Sequence, residues 1–95
     1  MIRQRIVFHG RVQGVGFRYQ ARYAAGLYGV TGWVRNNYDY TVTMEVQGTQ
    51  EQIDQMIIAI DRSRFIRITH MDVTDIPVVE EERSFRTLGY SIKTR

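Results

Sequence analysis

The chain has 95 residues, no cysteine and a formal net charge of +3, from 13 basic and 10 acidic side chains. That length suits one domain around one modest core, and the lack of cysteine excludes disulfide and thiolate chemistry. No stretch reaches the roughly 20 apolar residues of a membrane span, and residues 1–5 are not followed by the apolar region of a secretory signal.

The expectation is a single domain over residues 1–95, cytoplasmic and monomeric. The basic residues, all arginine except Lys93, are scattered. No dense basic block marks a nucleic-acid partner, so the charge reads as a solvated surface or as attraction of a small anion to one local site.

Residues 5–12 alternate, with Ile6, Phe8, Gly10 and Val12 on one side and Arg5, Val7, His9 and Arg11 on the other. This is a strand with one face on a core. Residues 13–16 form a turn. The period then changes: Phe17, Ala21, Ala24 and Leu27 fall on one stripe of a helix over 17–28, which Gly29 is placed to end. Residues 30–36 make a second strand, with Gly32, Val34 and Asn36 on one side and Thr31, Trp33 and Arg35 on the other. A hairpin turn at 37–40 leads to a third strand with Val42, Met44 and Val46 inward and Thr41, Thr43, Glu45 and Gln47 outward.

Thr49 and Gln52 have the spacing of a capping box, and Ile53, Met56, Ile57 and Ile60 give the buried stripe of a second helix. Residues 66–75 predict a fourth strand with conflicting parity, because Ile66 and Ile68 oppose Met71 and Val73. A β-bulge would reconcile them. Pro77 ends that strand, residues 80–83 read as an exposed acidic loop, and Tyr90 and Ile92 suggest a short last strand. The order β-α-β-β-α-β predicts an α+β class, a ferredoxin-like sandwich with a mostly antiparallel sheet and two helices on one face.

The turn at 13–16 is the chemically suggestive stretch. Gly14 and Gly16 permit positive φ and close approach of another group. Successive backbone N–H groups in such a turn can make an anion nest, and the helix that follows adds unpaired N–H groups and a positive dipole end. Arg18, in the first helical turn, brings a planar cation suited to phosphate. A cation there opposes the dipole unless an anion lies between them. By local physics alone, such glycines more often just serve the turn, and Arg18 reads as an exposed helix residue. Tyr19 replaces the third glycine of a dinucleotide fingerprint, and no Gly-Lys-Ser/Thr follows to make a Walker A loop.

Gly10-Arg11-Val12-Gln13-Gly14-Val15-Gly16-Phe17-Arg18 resembles the signature of the acylphosphatase family, and Gly32-Trp33-Val34-Arg35-Asn36 resembles its second block. The likeness is strong over 5–48 and loose afterwards, poorest over 60–84. It implies the same ferredoxin-like fold and a small acyl phosphate substrate. It also implies that Gln13, Gly14, Val15, Gly16, Phe17 and Arg18 bind the phosphoryl group, with Arg18 and Asn36 catalytic and Asn36 orienting the attacking water. Relatives usually place a glycine in the hairpin near Tyr40. A bulky residue at positive φ is strained, so a rebuilt turn is expected there.

The implied reaction fits so sparse a site. An acyl phosphate expels a carboxylate, whose conjugate acid has a pKa near roughly 4, so departure needs no proton. The transition state then asks mainly for positioning and charge stabilisation, which backbone N–H groups and one arginine supply. No metal or cofactor is implied. His9 and His70 read as ordinary surface or sheet histidines without zinc-site spacing. Asp72 and Asp75 beside residues 80–82 read as a solvated acidic loop rather than a weak cation site, and Trp33 and Met56 read as packing residues. Two other functions remain open. One is a non-catalytic phosphate-binding or interaction module on the same fold. The other is single-stranded RNA binding on the sheet, for which strand three lacks the basic-glycine-aromatic pattern.

Overall fold

A computed structural model describes residues 1–89. Its elements are β1 (Ile2–Arg11), α1 (Phe17–Tyr28), β2 (Thr31–Asn36), β3 (Val42–Gly48), α2 (Gln50–Asp61), β4 (Arg67–Ile76) and β5 (Phe85–Thr87). The strands form one sheet in the order β4-β1-β3-β2-β5. All pairings are antiparallel except β2 with β5, which is parallel. The ferredoxin-like expectation is met. The suggested strand at Tyr90 and Ile92 lies outside the described residues, and the strand seen instead is β5.

One face of the sheet carries the core. Ile6, Phe8, Val34, Val42, Met44 and Val46 are fully buried beneath Ala21, Ala25, Ile53, Met56 and Ile60 of the two helices. Each large side chain withdrawn from water in this way contributes about 1.5–3 kcal/mol. The capping box of α2 forms as read, with Thr49 Oγ1 accepting from the Gln52 amide at 3.1 Å and Gln52 Oε1 accepting from the Thr49 amide at 2.8 Å. Gly29 caps α1 in the left-handed region. Leu27 departs from its expected stripe: it is exposed, and Ala25 takes the buried place. The helix packs through alanines, so its close approach leaves the larger Leu27 on the outer flank.

The parity conflict in β4 resolves as a bulge. His9 pairs with His70, but the next residue, Gly10, pairs with Ile68, leaving Thr69 as the extra residue. Ile68 and Met71 therefore both reach the α2 side, where they line a hollow with Ile57, Ile58 and Asp61. The β4 backbone comes so close that a Cβ on Gly10 would sit 2.2 Å from the Arg67 carbonyl oxygen. No side chain fits there.

The second face is not simply solvated. β4 and β5 occupy opposite edges, so residues 77–84 must cross the sheet to join them. Beneath that crossing the outward residues of β3, Thr43, Glu45 and Gln47, are buried along with Arg3. Buried polar groups need partners, and they have them. Gln47 exchanges two hydrogen bonds with the Val79 backbone, at 2.7 and 2.9 Å. Arg3 donates to Glu45 at 3.0 Å and to Glu82 at 2.7 Å, while Arg5 holds the other Glu45 oxygen at 2.7 Å. Two arginines and two carboxylates neutralise one another. The acidic loop expected at 80–83 is thus corrected at Glu82, which is an ion-pair partner of a buried cation.

The hairpin between β2 and β3 also departs from expectation. Tyr40 adopts φ 72°, so the tight turn is kept rather than rebuilt, with a tyrosine held in the left-handed region. The turn is fastened around it. The Asn37 amide N–H donates to the Thr41 carbonyl and the Tyr40 N–H to the Asn37 carbonyl. Asn37 Nδ2 reaches Thr41 and Thr43 hydroxyls, and Asp39 accepts from Thr41. The Thr41 bonds hold the Asp39 carboxyl below its ordinary range.

Two tests follow from this packing. A left-handed tyrosine costs about 1–2 kcal/mol, whereas a glycine loosens the unfolded chain by about 0.4–1 kcal/mol. Tyr40 is exposed and gives up no packing, so Tyr40→Gly stabilises the protein by a net of about 0.5–1 kcal/mol in urea melts. Burial opposes ionisation of Glu45, but its bonds to Arg5 and Arg3 outweigh that and lower its pKa. A carboxylate with a depressed folded pKa stabilises fully above its unfolded value, about 4.3. That contribution is lost as pH falls through the folded value. Glu45→Gln is therefore less stable than wild type at pH 7, and its stability falls less between pH 5 and pH 3.

Candidate active site

β1 delivers the chain to the turn at 13–16 from the centre of the sheet, and α1 leaves it. Phe8 on β1 and Phe17 at the start of α1 pack ring against ring, with centroids 4.9 Å apart. This contact clamps the two sides of the turn together. Gly14 and Gly16 have φ 71° and 81°, a region that penalises any residue with a Cβ. Gly16 is the N-cap of α1 and offers no side-chain cap, and the first helical turn holds no acidic residue. The first amides of α1 are therefore left to water or to an anion.

Above the turn is a hollow of about 230 Å³ lined by Val12, Gly14, Gly16, Phe17, Arg18, Tyr19 and Asn36. Arg18 and Asn36 thus meet at one cavity, although 18 positions separate them. Asn36 ends β2 on the core-facing parity shared with Gly32 and Val34, and is only 7% exposed. Its β3 partner, Val42, lies just past the hairpin. Arg18 Nη1 donates to the Leu88 carbonyl at 2.9 Å, and the Leu88 N–H donates to the Val34 carbonyl at 2.8 Å. Residue 88, just after β5, therefore pairs with β2 and holds the guanidinium by one N–H, the one partner Arg18 has among the described residues.

The other residues of the expected phosphate-binding set divide. Gly14, Gly16 and Phe17 line the hollow with Arg18. Gln13 turns its amide to the hairpin, donating to the Asn37 and Thr41 carbonyls at 2.7 and 2.9 Å. Val15 packs against the core cluster. Sequence reasoning did not single out Tyr19 or Val12 as lining residues. Tyr19 follows Arg18 directly, and its position one step round the helix was the available signal. It also borders a second, apolar hollow of about 470 Å³ with Arg22, Tyr23, Gly26 and Leu27 on the outer flank of α1.

Among the described residues, Arg18 is the one charged side chain lining the smaller hollow. The arrangement combines a fixed cation, uncapped helix amides and a buried carboxamide. Chemically it can hold an oxyanion and direct a small neutral molecule at it. Imidazoles and carboxylates, the usual side-chain metal ligands, are not among the lining residues.

Comparison with known proteins identifies the family. The family model described as Acylphosphatase matches residues 4–87. An acylphosphatase of Clostridium acetobutylicum is 41% identical over 78 residues, covering 81% of this chain and 86% of that protein. One of Geobacillus kaustophilus is 38% identical over 89 residues, covering 93% and 95%. The crystal structure of acylphosphatase from Bacillus subtilis superposes with a TM-score of 0.83 at 32% identity, covering 93% of this chain and 99% of that one. With the family model and full-length relatives matching across both sequence blocks that meet at the hollow, the chain belongs to the acylphosphatase family.

Proposed function

We propose that this chain hydrolyses small acyl phosphates to carboxylate and phosphate, with Arg18 and Asn36 as its catalytic side chains. The observation that carries the proposal is their convergence on one hollow beside an uncapped helix start. The phosphoryl oxygens rest on the backbone N–H groups of residues 14–18 and on the Arg18 guanidinium. A water held by the Asn36 amide attacks phosphorus in line as the bond to the acyl oxygen breaks. The bonding electrons leave with the carboxylate, and the water's proton passes to phosphate oxygen. A carboxamide can both accept and donate hydrogen bonds, so Asn36 fixes the water's direction without becoming a base.

Charge spread over the equatorial oxygens is what such a site stabilises. Burial of Asn36 and fastening of Arg18 to Leu88 keep both groups in place before substrate arrives, which lowers the cost of positioning. The acyl end of the substrate leaves the cradle past Tyr19 and meets the apolar hollow on α1, so apolar acyl groups gain contact there.

Phosphate release from benzoyl phosphate, assayed with chelator present, tests the assignment. Arg18→Ala raises KM and lowers kcat, and Asn36→Ala lowers kcat with little change in KM, each kcat effect on the order of 10²–10³-fold. An unchanged rate in either variant rejects the role of that residue. Phosphate binding by the wild type without any hydrolysis leaves a binding module in place of an enzyme. For the acyl end, Tyr19→Ala raises KM several-fold for benzoyl phosphate and leaves KM for acetyl phosphate nearly unchanged. Equal effects on both substrates remove Tyr19 from acyl recognition.

A further inference from the structure

The bulge in β4 brings together three side chains that stand far apart in sequence. His9 on β1 lies directly opposite His70 on β4, so their side chains emerge on the same face of the sheet. Asp72, two residues along β4, emerges on that face as well. It bridges the imidazoles: Asp72 Oδ2 lies 2.8 Å from His9 Nε2, and Oδ1 lies 2.8 Å from His70 Nε2. The rings are 5.2 Å apart between centroids, and one donor atom from each of the three residues fits within 4.8 Å of the others. Both are surface histidines in the sheet, as expected, and the register sets them side by side.

We propose that His9, His70 and Asp72 form a binding site for a divalent transition-metal ion of the zinc type, separate from the phosphate hollow. Two imidazoles and one carboxylate are a donor set that late first-row ions favour and that hard ions such as Mg²⁺ do not. Zinc takes imidazole nitrogen at about 2.0–2.1 Å and carboxylate oxygen at about 2.0–2.2 Å. Small ring rotations bring the three donors to one such ion, with the remaining positions filled by water. Binding uses neutral imidazoles. The Nε2 proton of each ring that donates to Asp72 moves to Nδ1 as the metal takes Nε2, and an imidazolium releases one proton.

The surrounding charge is mixed. The two Asp72 hydrogen bonds hold its carboxyl below the ordinary range, and the Asp39 carboxylate of the hairpin lies within electrostatic reach of His9. Arg5, on the same face, is occupied by Glu45, whereas Arg11 and Arg67, paired just beyond Gly10, bring positive charge to the far side of the histidines. Backbone geometry fixes the two strands against each other. Only the extra residue Thr69, with Gly10 opposite, gives the register that sets His70 rather than Thr69 against His9. A bound ion would join the edge strand β4 to β1 by side chains in addition to backbone bonds.

The test is unusually clean because the chain has two histidines and no cysteine. Titration of the purified chain with Co²⁺, followed by visible absorption, and with Zn²⁺, followed by calorimetry, reports the site. One ion per chain is expected. His9→Ala, His70→Ala and Asp72→Asn each weaken binding by at least about tenfold. All three side chains are solvent-accessible, so the metal-free variants melt near the wild-type temperature. Zn²⁺ raises the melting midpoint of wild type, as a ligand of the folded state must, but not that of the His9→Ala/His70→Ala double variant. No saturable signal in wild type overturns the proposal, as does binding of equal strength in the double variant. Hydrolysis of acyl phosphates plays no part in these readouts, so failure here leaves the phosphate hollow untouched.

Discussion

The ion pair between Arg3 and Glu82 fastens the segment that crosses the sheet from β4 to β5. β4 and β5 lie on opposite edges of the sheet, so the connection must traverse a face that already carries polar side chains. Burying such groups costs several kcal/mol each unless they are paired. Arg3 is the hinge of the solution, because it joins Glu45 of the central strand to Glu82 of the crossing segment. Gln47 repeats the arrangement with the backbone of Val79. Once the crossing is fastened, β5 docks parallel to β2, and Leu88 is carried to the Arg18 guanidinium. A cation at the start of the first helix is thereby aimed by a carbonyl 70 positions away.

The other half of the site is aimed in the same indirect way. Asn36 is the last residue of β2, and the hairpin beyond it could swing its side chain by small changes in backbone angle. Two constraints remove that freedom. Gln13 of the cradle turn donates to two carbonyls of the hairpin, so the loops on either side of the hollow move as one. Tyr40 accepts a left-handed conformation that disfavours it, because the Asn37 and Thr41 bonds pin the turn more strongly than tyrosine resists. The strain sits next to the site and is offset by hydrogen bonds on Asn37, the residue that follows Asn36.

Much of the fold was legible in sequence because it rests on local periodicity. The strand alternation around Phe8 and Val34, the capping box of Thr49 and Gln52, and Gly29 past the end of α1 are near-neighbour signals. The turn that brings Gly14, Gly16, Phe17 and Arg18 to the hollow was legible for a similar reason, since these residues are nearly contiguous. What could not be read was contact across strands. Nothing near Glu82 in sequence marks it as the partner of Arg3, because that pairing depends on which edge β5 joins. The burial of Glu45 and Gln47 has the same origin: their outward parity was right, but a covered second face is a property of topology. Leu27 looked buried from spacing alone, and the small side chain of Ala25 was the sign that the helix rotates to pack more closely. The meeting of His9 with His70 requires both the β1–β4 pairing and the one-residue shift at Thr69, and parity showed only the need for that shift.

The hollow proposed for phosphate and the cluster proposed for a metal ion are built by different means. The hollow joins nearly consecutive residues, Gly14 to Tyr19, with distant ones that aim them. Its parts are therefore recognisable in sequence, while its accuracy resides in Gln13, Leu88 and the crossing segment. The His9–Asp72–His70 cluster depends entirely on strand register, with each member unremarkable where it stands in the chain. A one-residue slip in a sheet transfers a side chain to the opposite face. The bulge opposite Gly10 thus decides whether the cluster exists at all. Because a Cβ at Gly10 would collide with the Arg67 carbonyl, the glycine that opens the family-like stretch at 10–18 also permits the strand register beside it.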